Sequence, residues 1–196
     1  MRGCRPLTDA EISRVTHAFE GRYARRNRAF FILGVKTGLR CHELLGLKLG
    51  DVWRGGRVLD RVYVRRAITK GQRTGFALPL HPLAASTLRS YIKKDCRSRL
   101  AGAPLFCSAK SGLDGDLRPL DRSSAWRILK GVFRRAGAEG NTGCHSMRKT
   151  FCKKVYHALG NDLVATQVAM HHRAITSTLR YLSFDSGRVE AAILAA

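Results

Sequence analysis

The side chains best suited to chemistry are two arginines, two histidines and a tyrosine, which occur in three separate strings of the sequence. In the first string, TGLRCHELLGL, Arg40 follows a glycine and stands at the start of an apolar helical pattern. An arginine in that place is held by a rigid element and can offer forked N–H donors to an anion in a neighbouring cleft. Considered alone, Arg40 is more often an ordinary surface arginine.

The second and third strings add imidazoles, a second guanidinium and a phenol. In CHSMRKT, His145 and Arg148 are three residues apart, which puts both on one face of a helix. In MHHRAITSTLRYL, His172 precedes Tyr181 by nine residues, with small hydroxyl residues between them. A solvated histidine and arginine pair and a buried core tyrosine are the ordinary alternatives. Together, these groups could stabilise an anionic transition state, move protons and supply a nucleophile.

The charge of the chain indicates a polyanionic partner. Its 196 residues include 36 Lys and Arg against 14 Asp and Glu, for a net charge of +22, and the excess runs along most of the chain. The sequence has no lipidation signal, amphipathic anchor or apolar run of about 18 residues, so nucleic acid is favoured over a membrane surface. Charge alone is equally typical of a ribosomal or nonspecific DNA-binding protein.

The cysteines and histidines do not form a recognisable disulfide or metal motif. The six cysteines contain no C-x-x-C pair, and the first residues lack the apolar core of a signal peptide. We therefore expect reduced thiols in a cytoplasmic, DNA-associated setting. His171 and His172 are adjacent and would diverge on a helix, which disfavours a zinc site.

Hydrophobic patterning predicts that helices position most of these groups. Thr8 and Glu11 have capping-box spacing at the start of a helix predicted over about residues 8–20. A second helix, predicted over about 25–37, ends at Gly38. A short third helix then begins beside the first arginine.

Between Gly55 and Leu80 the pattern changes to β-like segments, which we interpret as a small antiparallel sheet with Gly71 and Gly75 in its connections. Helical patterns then resume, and Asp121 is a candidate N-cap. The predicted helices cover about 82–99, 121–136, 145–158, 161–170 and 174–183, with a loop at 108–120 and an apolar tail at 189–196.

The predicted fold class is α+β, mostly helical with a small antiparallel β-sheet. The chain is 44% hydrophobic and has no repeat or linker, so we expect one domain over residues 1–196, with a core at 8–185 and a tail at 186–196. The tail could pack on its own domain or dock on a neighbouring protomer, and both alternatives stay open.

The three strings, in this order, resemble the tyrosine recombinase family, which includes the phage integrases. The similarity extends from Thr8 to about Asp185 and involves TGLRCHELLGLKLGDV, GCHSMRKTF and AMHHRAITSTLRYL. It implies the DNA breaking-rejoining fold of that family. The family's catalytic residues match Arg40, His145, Arg148, His172 and Tyr181. This chain has Met170-His171-His172 where the family often has Leu-Gly-His.

The family also has a catalytic lysine in a β-hairpin, and the equivalent segment here is ITKGQRTGFALPL. Lys70 is therefore the predicted lysine, with Arg73 close to it in a hairpin one residue longer than the common pattern. Glu43 matches an acidic position of the family and is predicted to orient the active-site arginine.

The resemblance implies a site-specific recombinase or integrase that needs neither a metal nor a nucleotide cofactor. Tyr181 would attack a DNA phosphodiester and form a 3′-phosphotyrosyl link, while Lys70 would protonate the departing 5′-oxygen. The implied partner is double-stranded DNA, with a homotetramer assembled on two DNA sites.

Two other functions stay open at this point. A type IB topoisomerase shares the nucleophile and the cations but relaxes supercoils, and a DNA-binding regulator could keep the fold without activity. Many family members place a helical DNA-clamping domain ahead of the catalytic one. Here the sequence starts almost at the catalytic helix, so we expect no N-terminal core-binding domain in this chain, which is either a natural single-domain protein or a catalytic fragment.

Overall fold

The structure, a computed structural model, describes residues 3–69, 74–108, 117–172, 174–179, 181–182 and 193–194. Over these residues the chain forms three α-helices, four short strands and five further α-helices, in that order. This confirms the predicted mostly helical class with a small antiparallel β part. The strands form two separate pairs, however, and not one sheet.

The first two helices follow the predicted signals. The first, α1, covers Asp9–His17, and its N-cap Thr8 exchanges hydrogen bonds with Glu11 in the predicted capping box. The second, α2, covers Ala24–Thr37 and is buried along most of its length. It ends at Gly38, whose left-handed backbone (φ 62°) a residue with a side chain adopts only at a cost.

Glycines on α2 let another helix approach closely. That helix, α6, covers Cys144–Ala158 and packs along α2. A Cβ atom at Gly38 would collide with the ring of Phe151, and one at Gly34 would lie 2.7 Å from Met147 Sδ. The two glycines therefore set the distance between the elements that bear the first and second strings.

Four short strands follow the third helix, α3 (Cys41–Leu45). They cover Trp53–Arg54 (β1), Arg57–Val58 (β2), Arg61–Val64 (β3) and Phe76–Pro79 (β4). β1 pairs with β2, and β3 pairs with β4 in antiparallel register, with Val62 opposite Leu78. Val62 and Val64 are buried while their neighbours in β3 are exposed, which is the period of a half-buried strand.

Besides α6, four helices follow the strands. They are α4 (Pro82–Asp95), α5 (Arg122–Arg135), α7 (Leu163–Ala169) and α8 (Ile175–Leu179). Asp121 caps α5 by accepting a hydrogen bond from Ser124 N, as predicted. Asp162 caps α7 in the same way, through Val164 N.

The main hydrophobic core surrounds α2. Phe30 packs edge to face on Phe106, with 5.3 Å between ring centroids, and Phe31 packs in the same manner on Phe133 at 6.0 Å. All four rings are 1% exposed or less. Such aromatic pairs add about 0.5–1.5 kcal/mol each beyond the burial of their surface. α2 is thus a rigid base for the residues that follow Gly38.

A second, smaller cluster fixes the C-terminal elements. It contains the buried Cys152, Met170 and Leu182, and the half-buried ring of Tyr181 packs against it. The cluster joins α6 to the segments that follow α7 and α8. The third string is therefore anchored on the helix that bears the second string.

The prediction of a helix over 82–99 is wrong at its C-terminal end, because α4 stops at Asp95. The backbone beyond that point forms hydrogen bonds with another segment of the chain. Gly50 N donates to the Ala101 carbonyl at 2.8 Å. This long-range pairing replaces the helical hydrogen bonds that the local pattern suggested.

The prediction of a helix over 174–183 is also too long. α8 ends at Leu179, and Tyr181 N donates to the Thr178 carbonyl at 2.9 Å, the bond of a tightened turn. Tyr181 therefore lies after the helix and is not part of it.

Several predicted features fall outside the described residues. These are Lys70, Gly71, Arg73, most of the 108–120 loop and most of the 186–196 tail. The domain organisation likewise remains a prediction. Within the ranges that the structure describes, no helix combines the length and apolarity that crossing a bilayer requires.

Glu11 joins the N-terminal segment to α1 and is only 6% exposed. It accepts a hydrogen bond from Thr8 N at 2.9 Å and pairs with Arg5, which donates through Nε to the Glu139 carbonyl at 2.9 Å. The Arg5 guanidinium and the Thr8 backbone lower the pKa of Glu11 to about 2. The charged carboxylate is therefore the form that the fold stabilises.

We expect Glu11→Gln to lower the free energy of unfolding at pH 7 by about 1–3 kcal/mol, since one pKa unit corresponds to about 1.4 kcal/mol. The folded pKa lies below the ordinary value of 4.5. The stabilisation is therefore present above that value and is lost as the pH falls toward 2. Urea unfolding of both proteins should show a difference at pH 3 that is less than half of that at pH 7. A difference that does not depend on pH would contradict this account.

Candidate active site

The three strings meet at one cleft of about 260 Å³. Its lining residues are Gly3, Cys4, Arg40, His145, Lys149, Ser177 and Tyr181. Arg40 directly precedes α3, His145 lies in the first turn of α6, and Tyr181 follows α8. The cleft therefore collects groups from parts of the chain that are far apart in sequence.

Arg40 is held in place by Glu43. Arg40 N donates to Glu43 Oε2 at 2.7 Å, and Arg40 Nη1 donates to Glu43 Oε1 at 3.1 Å. Glu43 is 1% exposed, whereas the Arg40 side chain remains 29% exposed. A single buried carboxylate thus caps α3 and fixes the direction of the guanidinium toward the cleft.

Arg148 lies beneath the cleft and is 3% exposed. Its Nη1 donates to the Gly38 carbonyl, and its Nη2 donates to the Met170 carbonyl (3.0 Å) and to His172 Nε2 (2.7 Å). Its Nε is buried without a hydrogen-bond partner among the described residues. Burial and the charge of Arg40 lower the pKa of Arg148, but a guanidinium remains protonated in proteins. The cleft therefore rests on a permanent buried positive charge.

His172 is neutral, and its hydrogen bonds fix its tautomer. A guanidinium can only donate, so His172 Nε2 accepts from Arg148, and Nδ1 bears the proton. Nδ1 lies 2.9 Å from Thr178 Oγ1, which accepts that proton's hydrogen bond. Burial, followed by the charges of Arg148 and Arg40, lowers the pKa of His172 to about 4. The imidazole is consequently uncharged at neutral pH.

The adjacent histidine faces a different neighbour. His171 stacks on the ring of Phe76, with 4.0 Å between centroids, and its backbone is left-handed (φ 50°). The chain turns at this position, so successive side chains diverge. The structure accordingly brings His172, and not His171, against Arg148.

The ring of Tyr181 covers the buried cation. It stacks on His172, with ring centroids 5.4 Å apart and planes inclined by 22°, and the Arg148 Cζ atom lies 5.6 Å from its centroid. A guanidinium over an aromatic face is favourable by about 0.5–2 kcal/mol. Tyr181 is thus held in the pocket that also contains the other groups of the three strings.

His145 stands in the cleft with solvent access. Partial burial, followed by the charges of Arg122 and Arg148, lowers its pKa. The ring is therefore more fully neutral at pH 7 than an isolated histidine. A neutral imidazole has a ring nitrogen that can accept a proton.

The structure thus brings together Arg40, His145, Arg148, His172 and Tyr181, with Glu43 beneath Arg40. Lys70 lies outside the described residues. The lining residues that the sequence did not single out are Gly3, Cys4, Lys149 and Ser177. Lys149 is four residues after His145, a helical spacing that could have indicated it. No comparable sequence pattern indicated the hydrogen bond between Thr178 and His172.

The arrangement can hold an anionic group against a phenol. Arg40, Arg148 and Lys149 supply positive charge, and hydrogen-bond donors in a partly desolvated site stabilise an anion more strongly than they do in water. Among the residues that the structure describes, no three His, Cys, Asp or Glu side chains are placed to hold a metal ion. A larger groove of about 570 Å³ beside Trp53 and Arg99 contains none of the predicted site residues.

Comparison with known proteins identifies a family. The sequence pattern of the phage integrase family matches residues 5–187. Tyrosine recombinase XerC of Agrobacterium fabrum is 30% identical over 190 residues, which cover 94% of this chain and 56% of that protein. Tyrosine recombinase XerD of Corynebacterium glutamicum is 29% identical over 158 residues, covering 80% of this chain and 47% of that protein. The chain thus spans about half the length of these curated relatives.

Solved structures show the same fold. The XerA recombinase superimposes with a TM-score of 0.77 at 20% identity, over 100% of this chain and 64% of that one. The XerH recombinase, in a post-cleavage complex with its palindromic difH substrate, superimposes with a TM-score of 0.73 at 22% identity, over 96% of this chain and 52% of that one. The predicted breaking-rejoining fold is therefore confirmed.

We predict that His172 remains neutral, with its proton on Nδ1, until the pH falls to about 4. The imidazole ¹⁵N shifts of the folded protein would report both the pKa and the tautomer. The unfolded chain takes up this proton near the ordinary value of 6.5, so the stability from this residue should fall as the pH drops from 6.5 to about 4. Titration of His172 near 6.5 would contradict the geometry.

Thr178→Val tests the same hydrogen bond, because it keeps the shape of the side chain but removes the acceptor. The buried Nδ1–H of His172 would lose its partner, at a cost of about 1–3 kcal/mol in the free energy of unfolding. Thr176→Val, at an exposed position of the same helix, is the matched control and should be close to neutral. Equal losses for the two variants would show that the Thr178 hydroxyl has no special role.

Proposed function

The chain belongs to the phage integrase family, and from this membership we propose that it is a site-specific DNA recombinase with Tyr181 as its nucleophile. The observation that supports this best is the position of the phenol, which shares one cleft with Arg40 and His145 above the buried Arg148. The curated relatives are named tyrosine recombinases. That name implies a tyrosine nucleophile, and Tyr181 is the tyrosine that lines this cleft.

The proposed substrate is double-stranded DNA. The net charge of +22 suits a polyanion. Solved structures that resemble this chain include a XerH recombinase bound to its difH substrate and a transposon integrase in complex with circular intermediate DNA. Lysine and arginine contacts to backbone phosphates would hold the duplex, and binding would weaken as the salt concentration rises.

In the proposed reaction, the Tyr181 hydroxyl oxygen attacks a phosphorus atom of the DNA backbone. A bond forms between that oxygen and the phosphorus while the bond from the phosphorus to the 5′-oxygen breaks. His145, kept neutral by its surroundings, takes the phenolic proton. Lys70, still the predicted lysine, gives a proton to the 5′-oxygen. The products are a 3′-phosphotyrosyl link and a free 5′-hydroxyl.

Arg40 and Arg148 would stabilise the negative charge of the transition state. The forked donors of a guanidinium match two phosphate oxygens at once, which a lysine ammonium does not do. Arg148 lies beneath the Tyr181 ring, and its Nε is unpaired among the described residues. The ring must therefore move off the Arg148 guanidinium before Arg148 can contact a phosphate.

The covalent link keeps the energy of the phosphodiester, so a 5′-hydroxyl from another strand can reverse the reaction without ATP. Exchange between two DNA sites needs one active site for each strand that is cut. We accordingly propose a homotetramer on two sites, with cleavage in pairs.

We expect Tyr181→Phe to abolish the covalent adduct. Incubation of the protein with a nicked suicide duplex, in which the 5′-hydroxyl fragment diffuses away, should trap a protein–DNA species on a denaturing gel. The phenylalanine variant keeps the ring that packs on His172 and loses only the nucleophile.

Tyr156→Phe is the matched control, because Tyr156 packs against the same small cluster as Tyr181 and loses the same hydroxyl. This variant should form the adduct at the rate of the unchanged protein. An adduct that persists in Tyr181→Phe would refute the assignment of the nucleophile, and its loss in Tyr156→Phe would move the assignment there.

Arg40→Lys separates charge from geometry. The variant keeps one positive charge but loses the forked donors, so we expect DNA affinity within a few-fold of the original and adduct formation slower by about 10²- to 10³-fold. Arg57→Lys, at an exposed position on β2, is the control and should change neither quantity. Unimpaired cleavage by Arg40→Lys would show that Arg40 does not contact the reacting phosphate.

A further inference from the structure

A second concave site is separate from the cleft. It is a groove of about 570 Å³, and none of its lining residues is among those that line the cleft. One wall comes from β1 and the turn before it, and the other comes from the end of α4 and the segment that follows. Its lining residues include Trp53, Arg54, Ile92, Lys93, Arg97 and Arg99. We call it the Trp53 groove.

Backbone hydrogen bonds hold the two walls of the Trp53 groove together. Gly50 N donates to the Ala101 carbonyl at 2.8 Å, and Leu49 N donates to the Ala103 carbonyl at 2.9 Å. A Cβ atom at Gly50 would lie 3.2 Å from the Ala101 carbonyl oxygen, so the two segments approach closely. Trp53 also packs against the main hydrophobic core. The groove is therefore preformed, as small-molecule sites usually are.

Four cations line the Trp53 groove, and the described residues that line it include no carboxylate. Arg97 Nε donates to the Lys93 carbonyl at 2.6 Å, and Arg99 Nη1 donates to the Tyr91 hydroxyl at 3.2 Å. These bonds restrain the two guanidiniums. Across the part of the chain that the structure describes, their other N–H groups have no acceptor. Those donors are available to an anionic ligand.

The acidic residues next to these cations in the sequence are engaged elsewhere. Asp51 pairs with Arg65 at 3.1 Å, and Asp95 accepts two hydrogen bonds from Arg25, at 2.9 and 3.0 Å. Neither carboxylate lines the groove. The positive charge of the groove is therefore left for an anion from outside the chain.

Trp53 adds an aromatic ring to this group of cations. A nucleobase stacks favourably on such a ring, while arginine and lysine bind phosphates. The groove volume of about 570 Å³ lies within the usual range for small-molecule sites, about 300–1,000 Å³. A single DNA strand has one phosphate per nucleotide, whereas a nucleoside triphosphate concentrates three phosphates in one ligand. Four cations around one groove match the second arrangement better.

We propose that the Trp53 groove binds a nucleoside di- or triphosphate, with the base against Trp53 and the phosphates held by Lys93, Arg97 and Arg99. The ligand binds there without reacting, and strand transfer at the cleft does not consume it. This binding does not depend on the function proposed above.

The experiment uses tryptophan fluorescence of the full chain. The sequence has two tryptophans, so Trp126→Phe, at an exposed position, leaves Trp53 as the single reporter. With EDTA present, ATP and ADP should each change this fluorescence in a saturable manner, and calorimetry should give the same affinities. Adenosine lacks the phosphates and inorganic triphosphate lacks the base, so each should bind more weakly than ATP by about tenfold or more.

A pair of double variants places the site. Lys93→Gln/Arg97→Gln removes two exposed cations of the groove and should weaken ATP binding by about tenfold or more, because charge-assisted hydrogen bonds are lost. Arg134→Gln/Arg135→Gln removes two exposed cations of α5, outside the groove, and is the matched control. Its affinity for ATP should stay within about twofold of the original.

Four results would overturn the proposal. Equal losses in the two double variants would mean a general attraction of anions to a basic surface. Inorganic triphosphate that binds as tightly as ATP would remove the role of the base. A single-stranded oligothymidylate that displaces ATP at lower concentration, and loses affinity in Lys93→Gln/Arg97→Gln, would make the groove a site for a DNA strand. Absence of binding by both fluorescence and calorimetry would remove the site. The suicide duplex tests the proposed function separately, since it reports on the cleft.

Discussion

The guanidinium of Arg148 donates to the carbonyl of Gly38 and to the carbonyl of Met170, and so ties the end of α2 to the end of α7. A buried charge is costly unless its donors are satisfied. Here, within the described residues, the acceptors are two carbonyls and the imidazole of His172. These acceptors stabilise the charge without neutralising it. The site therefore keeps a positive charge that an anion can use.

That arrangement depends on how closely α2 and α6 approach. Gly34 and Gly38 leave room for Met147 and Phe151 of α6, which lie one residue before and three residues after Arg148. A larger residue at either glycine would push α6 away and would lengthen the hydrogen bond from Arg148 to Gly38. The left-handed backbone of Gly38 also turns the chain so that Arg40 begins α3 beside the same cleft. Gly38 thus determines both where α2 ends and where Arg40 lies relative to the cleft.

Local signals account for much of what the sequence could predict. Capping at Thr8 and Asp121 and the stop at Gly38 act over a few residues, and the structure contains all three. The predicted ends of α4 and α8 were wrong. Long-range hydrogen bonds end α4 and tertiary packing ends α8, and a local sequence pattern does not reveal those partners. For the site, the resemblance to the family predicted which residues are catalytic. It could not show that Tyr181 follows its helix or that Thr178 fixes the tautomer of His172.

The electrostatics of the cleft explain why such a site is built from cations and neutral imidazoles. Arg40, Arg148 and Lys149 repel one another. Burial, followed by the charges of nearby cations that include these three residues, lowers the pKa of His145, and burial followed by the charges of Arg148 and Arg40 lowers that of His172. This repulsion destabilises the fold, and Glu43 offsets part of it through its ion pair with Arg40. A phosphate would relieve the repulsion, and a transition state with more negative charge would relieve it further. Because the cations are already fixed, little reorganisation is needed when that charge develops, which is the condition under which electrostatic stabilisation accelerates a reaction most.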